Sequence, residues 1–217
     1  MAKLTGIPIA KFSVGFGKKL WSKKSGNTEY MVSMIPLGGY VMPDVKSADE
    51  FHKIPPYKRA IFFIGGVTAN ILVAIISFAI FIIIKNGFTV NNIFIKPVVM
   101  SFRLLYKIII SIPQIFNNPQ TLSGILGIVT EGGAFIGEGA INIFYLIIFL
   151  NLNLAVMNLL PIPGLDGGKL MILLLSKIYP KVEKVETYLS VAGFVLLLGV
   201  IVYVTALDIG RIIGMVG

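Results

Sequence analysis

The sequence predicts an α-helical integral membrane protein. About three transmembrane helices are expected, with an N-terminal membrane-associated β-hairpin region and an amphipathic interfacial helix. Three observations predict this class. First, 56% of the 217 residues are hydrophobic and only 13% charged, about half the charged share of a soluble domain. Second, uncharged apolar stretches at 60–84, 141–160 and 188–207 are each long enough to cross a bilayer. Third, residues 1–59 hold ten of the nineteen Lys and Arg but only four of the ten acids. A soluble globule of this size has too little interior for so much apolar side chain. The composition therefore excludes a soluble enzyme and a disordered chain.

Two domains follow: a cytoplasmic-side β-hairpin region over 1–59 and a transmembrane core over 60–217. In the first, residues 11–17 and 28–35 read as short strands. Ser25-Gly26-Asn27 reads as the turn between them, and residues 37–41 as a further extended piece. An open strand edge is costly in lipid, so this hairpin must be covered, lie among headgroups, or offer its edge to something. The lone histidine, His52, falls in a polar stretch and is expected to be solvated and inert.

Residues 60–84 carry no charge and would make a helix of about 37 Å, enough to cross with tilt. Residues 98–116 differ: Arg103, Lys107, Ser111 and Gln114 form a polar stripe at helical spacing. That suits the interface better than a fourth crossing with a buried basic pair. Pro113 should bend or stop this helix. The six glycines of 121–139 match no phosphate-loop or dinucleotide pattern and predict a re-entrant or surface connection.

The net charge of +9 does not point to nucleic acid, because beyond residue 59 nine basic residues face six acidic ones. A basic flank before an apolar span marks cytoplasmic retention instead. Residues 1–59 and 161–187 are thus expected inside, and 85–140 and the C-terminus outside. The absence of cysteine removes disulfides and thiolate ligands, and one histidine cannot build a multi-imidazole zinc site.

The second span ends in Asn158-Leu159-Leu160-Pro161-Ile162-Pro163-Gly164-Leu165-Asp166-Gly167-Gly168. Prolines two apart cannot continue a helix, so Asp166 follows a rigid extended break. An aspartate at membrane depth costs roughly 2.5–3.5 kcal/mol at mid-bilayer and less toward the surface, and is a functional candidate by default. The bland alternative is a cap on the helix that follows. Gly167 and Gly168 permit close approach of backbone or a ligand.

This N-x-x-P-x-P-x-L-D-G-G motif resembles the site-2 protease family, zinc metalloproteases that cut within membranes. Phe12-Ser13-Val14-Gly15-Phe16-Gly17, Glu29-Tyr30 through Pro36-Leu37-Gly38-Gly39-Tyr40-Val41, and Phe51 through Arg59 with Gly66 and Asn70 resemble further family motifs in the same order. The resemblance implies a Zn2+ cofactor held by H-E-x-x-H on a first helix, with Asp166 as the third ligand. It implies substrate-binding positions at Asn158, Pro161 and Pro163, and at Gly38 and Gly39 of the hairpin. Implied partners are the lipid bilayer and a single-pass membrane protein substrate, of the anti-sigma-factor or signal-peptide-remnant type. The implied location is a bacterial cell membrane, with multiple passes.

H-E-x-x-H does not occur in the sequence. The chain is thus expected to begin just after the catalytic helix, to lack two ligands and the general base, and to be inactive alone. No room is expected for a sensor (PDZ) domain between the first span and the amphipathic helix. Val67 stands where the family usually has proline. The alternatives are a non-catalytic scaffold or binding relative of the same fold and, from composition alone, a small transporter subunit.

Overall fold

The structure, a computed structural model, describes residues 5–117, 139 and 141–214. The chain divides into two compact units, Met1–Gly65 and Gly66–Gly217.

In the first unit, β1 (Ile9–Ser25) and β2 (Thr28–Pro43) form one sheet. The turn falls where the sequence places it. Gly26 takes φ 59°, the positive value a tight two-residue hairpin requires at its first central position. Near the turn the pairing is antiparallel, with Ser25 facing Thr28 and Trp21 facing Val32. Farther out, both strands run well past the expected segments and fold back. Lys11 and Val14 pair with Glu29 and Val32 on one side, in rising order, and with Met42 and Gly39 on the other, in falling order. The first half of β1 is therefore interior to the sheet, and the second half of β2, Gly39 to Pro43, is an edge. Gly15 (φ 87°) and Gly17 (φ 82°) supply the left-handed backbone at which β1 turns. Thr28 Oγ1 donates to the Ile9 carbonyl at 2.8 Å and ties the rising pair together. Ser13, 2% exposed, donates to the Gly15 carbonyl at 3.0 Å.

Helix α1 (Ala48–His52) starts on a side-chain cap. Glu50 N donates to Ser47 Oγ at 3.2 Å, and Lys46 N donates to Glu50 Oε2 at 2.7 Å. His52 thus sits half-buried in a short helix, not in a solvated loop. Helix α2 (Pro56–Asn86) opens on proline, whose missing N–H costs nothing in a first turn. Its Phe62 and Phe63 rings pack on Phe51 at 6.0 and 5.8 Å. The division between the units falls within α2.

In the second unit, Ala74, Phe78 and Ile82 recur at one per turn on α2 and pack with Ile148 and Leu152 of α4 (Asn142–Leu159). Leu104, Leu105 and Ile108 of α3 (Lys96–Asn117) close the cluster. Such contacts hold helices together in lipid, where both alternatives are apolar. Asn151 and Asn153 each donate from Nδ2 to a carbonyl four residues earlier, at 2.8 Å, so these two amides find partners within their own helix.

The connection between α2 and α3 is tight. Gly87 takes φ 78° past the end of α2. Asn92, 3% exposed, donates from Nδ2 to the Gly87 carbonyl at 2.8 Å and the Asn86 carbonyl at 3.3 Å. A π-helical turn, Asn91–Ile95, then leads into α3. Residues 87–90 leave no space for a folded domain between these elements. Pro113 does not stop α3, which runs through it to Asn117. The hydroxyl of Ser111 donates to the Ile108 carbonyl at 2.8 Å just before that point.

Helices α5 (Asp166–Ser176) and α6 (Val182–Ile212) complete the unit. Among the described residues, three helical segments are long and apolar enough to cross a membrane: Pro56–Asn86, Asn142–Leu159 and Val182–Gly210. They coincide with the three expected spans, and α3 is not among them. The glycine-rich 121–139 stretch lies, apart from Gly139, outside the described residues.

Candidate functional site

The site is built where the second span breaks. Helix α4 ends at Leu159, and Leu160 turns extended with ψ 140°. Pro161 and Pro163 keep the chain out of helix, and Gly164 takes φ 98°, a conformation open to glycine. Leu165 is extended at φ −91°, ψ 164° and holds the cap position of α5. Asp166 is therefore the first helical residue rather than the cap. Its carboxylate still lies in the favourable field of the helix N-terminus.

Glycines lock this break in place. A Cβ on Gly167 would run into the Leu159 carbonyl, and one on Gly168 into the Ile162 carbonyl. The two glycines thus admit the chain's own backbone. The contacts of two further glycines are not legible in the sequence. Gly193 of α6 lies against the Pro163 carbonyl with no space for a side chain, which seats the proline loop on the third span. Gly66 of α2 lies beside Asp166 itself: a Cβ there would stand 2.9 Å from Asp166 Oδ2. Gly66 was visible as a motif residue, but nothing in its spacing named Asp166 as its neighbour.

Asp166 is partly buried, and desolvation pushes its carboxyl above the ordinary aspartate value; the Lys169 ammonium, one turn on, pulls the other way. Asn158 is half-buried in the last turn of α4, Pro163 is half-buried and Pro161 exposed. Asn158, Pro161, Pro163 and Asp166 thus lie on one helix end and its loop. Gly38 and Gly39 belong to β2 of the first unit. Gly39 is opposite Val14, and a Cβ on it would meet the Ser13 carbonyl.

The model of peptidase family M50 matches residues 1–200. The chain belongs to this family, the site-2 proteases. A protein of Clostridium perfringens named as a zinc metalloprotease is 25% identical over 312 aligned positions, which cover 96% of this chain and 92% of the relative. One of Clostridium acetobutylicum, named likewise, is 23% identical over 310 positions, covering 96% and 91%. Both alignments are longer than the 217-residue chain, so each relative carries segments that face no residue of this one. A shorter match, 36% over 97 residues, joins 37% of this chain to 16% of a Chlamydia pneumoniae protein also named as a zinc metalloprotease.

Membership makes this M50 chain a membrane protein of a zinc metalloprotease family. Among the described residues, no group of three His, Cys, Asp or Glu could hold a metal ion. Asp166 offers one oxygen donor, whereas a catalytic zinc takes three protein ligands and a water. The described residues alone do not fit the family's metal.

Proposed function

We propose that this chain serves an intramembrane metalloendopeptidase of the site-2 type. It contributes the carboxylate that completes the metal site, Asp166, and an extended sheet edge that holds substrate. Its reaction class is hydrolysis of a peptide bond in a single-pass membrane protein, such as an anti-sigma factor or a signal-peptide remnant. The observation that carries this reading is the position of Asp166. A partly buried carboxylate stands directly after a rigid break in an apolar span, and Leu165 rather than Asp166 takes the cap position. A charge held at such a place is costly unless it is used.

With one donor in hand, the 217 residues alone are proposed not to hydrolyse peptides. Asn158, Pro161 and Pro163 flank the carboxylate and are proposed to line the substrate path. The second half of β2, beyond Gly38, pairs on one side with β1. Its other side is proposed to take an unwound substrate segment by strand addition, with main-chain hydrogen bonds supplying the affinity.

The test measures zinc content and cleavage of a single-pass reporter substrate in membranes. The chain as given should carry no stoichiometric zinc. Joined to an apolar helix bearing H-E-x-x-H, it should bind about one zinc and cleave, and Asp166→Ala should lose both. Cleavage retained in Asp166→Ala would remove Asp166 from the site. Failure of the joined protein to bind zinc would favour the reading as a non-catalytic binding relative, which the lone donor also supports.

A further inference from the structure

We propose that Gly66 is a positioning residue for Asp166, setting where its carboxylate points by presenting no side chain to it. The inference rests on the reading of Asp166 as the working carboxylate.

Glycine is a poor choice within a 31-residue apolar helix, since it gives up helix propensity relative to alanine. Something must offset that loss at position 66. A Cβ at Gly66 would have Asp166 Oδ2 at 2.9 Å and, among the described residues, no other atom within 4 Å beyond its chain neighbours and the local helix backbone. The space that an alanine methyl would take is therefore bounded by one group, the carboxylate. Real Cβ atoms do not sit that close to an oxygen, so a methyl there displaces Oδ2.

What has to move separates Gly66 from the other glycines around the break. At Gly167, Gly168 and Gly193 the obstructing atoms are backbone carbonyls. Side chains there would strain the fold itself. At Gly66 the obstruction is the tip of a side chain, which can turn about its own bonds at little cost to the fold. The consequence of a methyl at 66 thus falls on the direction of the carboxylate. A ligand or catalytic group must be held within about 0.5 Å and 10–20° of its working geometry, and a displaced Oδ2 leaves that range.

The test is a double-mutant cycle on the full chain in detergent, read as the thermal unfolding midpoint. Gly66→Ala should raise the midpoint more in the Asp166→Ala background than in the native one, by about 2–4 °C. Gly199→Ala is the control: a Cβ there meets nothing within 4 Å, so its gain should be the same in both backgrounds. A second readout labels the side-chain carboxyl carbons of the four aspartates with 13C. The Asp166 resonance, assigned by its loss in Asp166→Ala, should shift in Gly66→Ala while the other three stay. Additive midpoints with an unmoved resonance would overturn the proposal. Equal destabilisation by Gly66→Ala in both backgrounds would also overturn it, since the cost would then arise elsewhere. Neither readout uses metal. Failure of the functional reading would show separately, as zinc binding and cleavage retained in Asp166→Ala.

Discussion

At the scale of single residues, the molecule sets charges by their neighbours. Lys19 Nζ lies 2.6 Å from Glu29 Oε1, and this contact holds the Glu29 carboxyl below the ordinary glutamate value. A lowered folded value means that the native state binds fewer protons than the unfolded chain. The stability from this pair is present above the ordinary glutamate range and is lost as pH falls through the lowered value. Glu29→Gln should therefore flatten the acid side of a stability–pH curve for the chain in detergent. An unchanged acid limb would mean that the pair adds nothing to stability. Asp166 behaves oppositely, because desolvation outweighs the pull of Lys169. Gly193 shows a third kind of control, in which the absence of a side chain lets a distant helix seat the loop that carries the carboxylate.

At the scale of elements, the folded-back sheet leaves Gly39 to Pro43 as an edge strand. Gly39 itself is tied to the sheet by its close approach to the Ser13 carbonyl, so a substitution there would not isolate a substrate role. Tyr40 and Val41 separate the two effects. Successive residues of a strand direct their N–H groups to opposite sides. Of Tyr40→Pro and Val41→Pro, one should break an internal bond and loosen the sheet. The other should leave the sheet intact and weaken capture of an extended substrate peptide, read by site-specific cross-linking. Full capture by both variants would mean that substrate does not pair with this edge.

At the scale of the whole molecule, three apolar helices and a basic N-terminal region set the expected topology. Three crossings among the described residues would put residue 45 and the C-terminal end on opposite sides. Reporter fusions at residue 45 and residue 217 should report opposite compartments, with residue 45 inside. The same compartment at both positions would remove one crossing or add another. The interface reading of α3 enters the same count, because a crossing by α3 would make the number even.

The three spans, the Gly26 turn, the proline break and the candidacy of Asp166 are legible in the order of the amino acids. Each rests on residues near one another in the chain: an apolar run as long as a bilayer is thick, a glycine where φ is positive, a pair of prolines that cannot continue a helix. The folded structure adds that Asp166 begins α5 rather than capping it. It alone folded residues 11–14 between the two parts of β2, which makes Gly39 to Pro43 an edge. It carried α3 through Pro113, closed the α2–α3 connection with Asn92, and set Gly66 against the carboxylate and Gly193 against the loop. These are distances between segments up to a hundred residues apart. A glycine in an apolar run looks the same in sequence whether it faces lipid, as open space at Gly199 allows, or a carboxylate, because the atom that forbids a side chain belongs to another part of the chain.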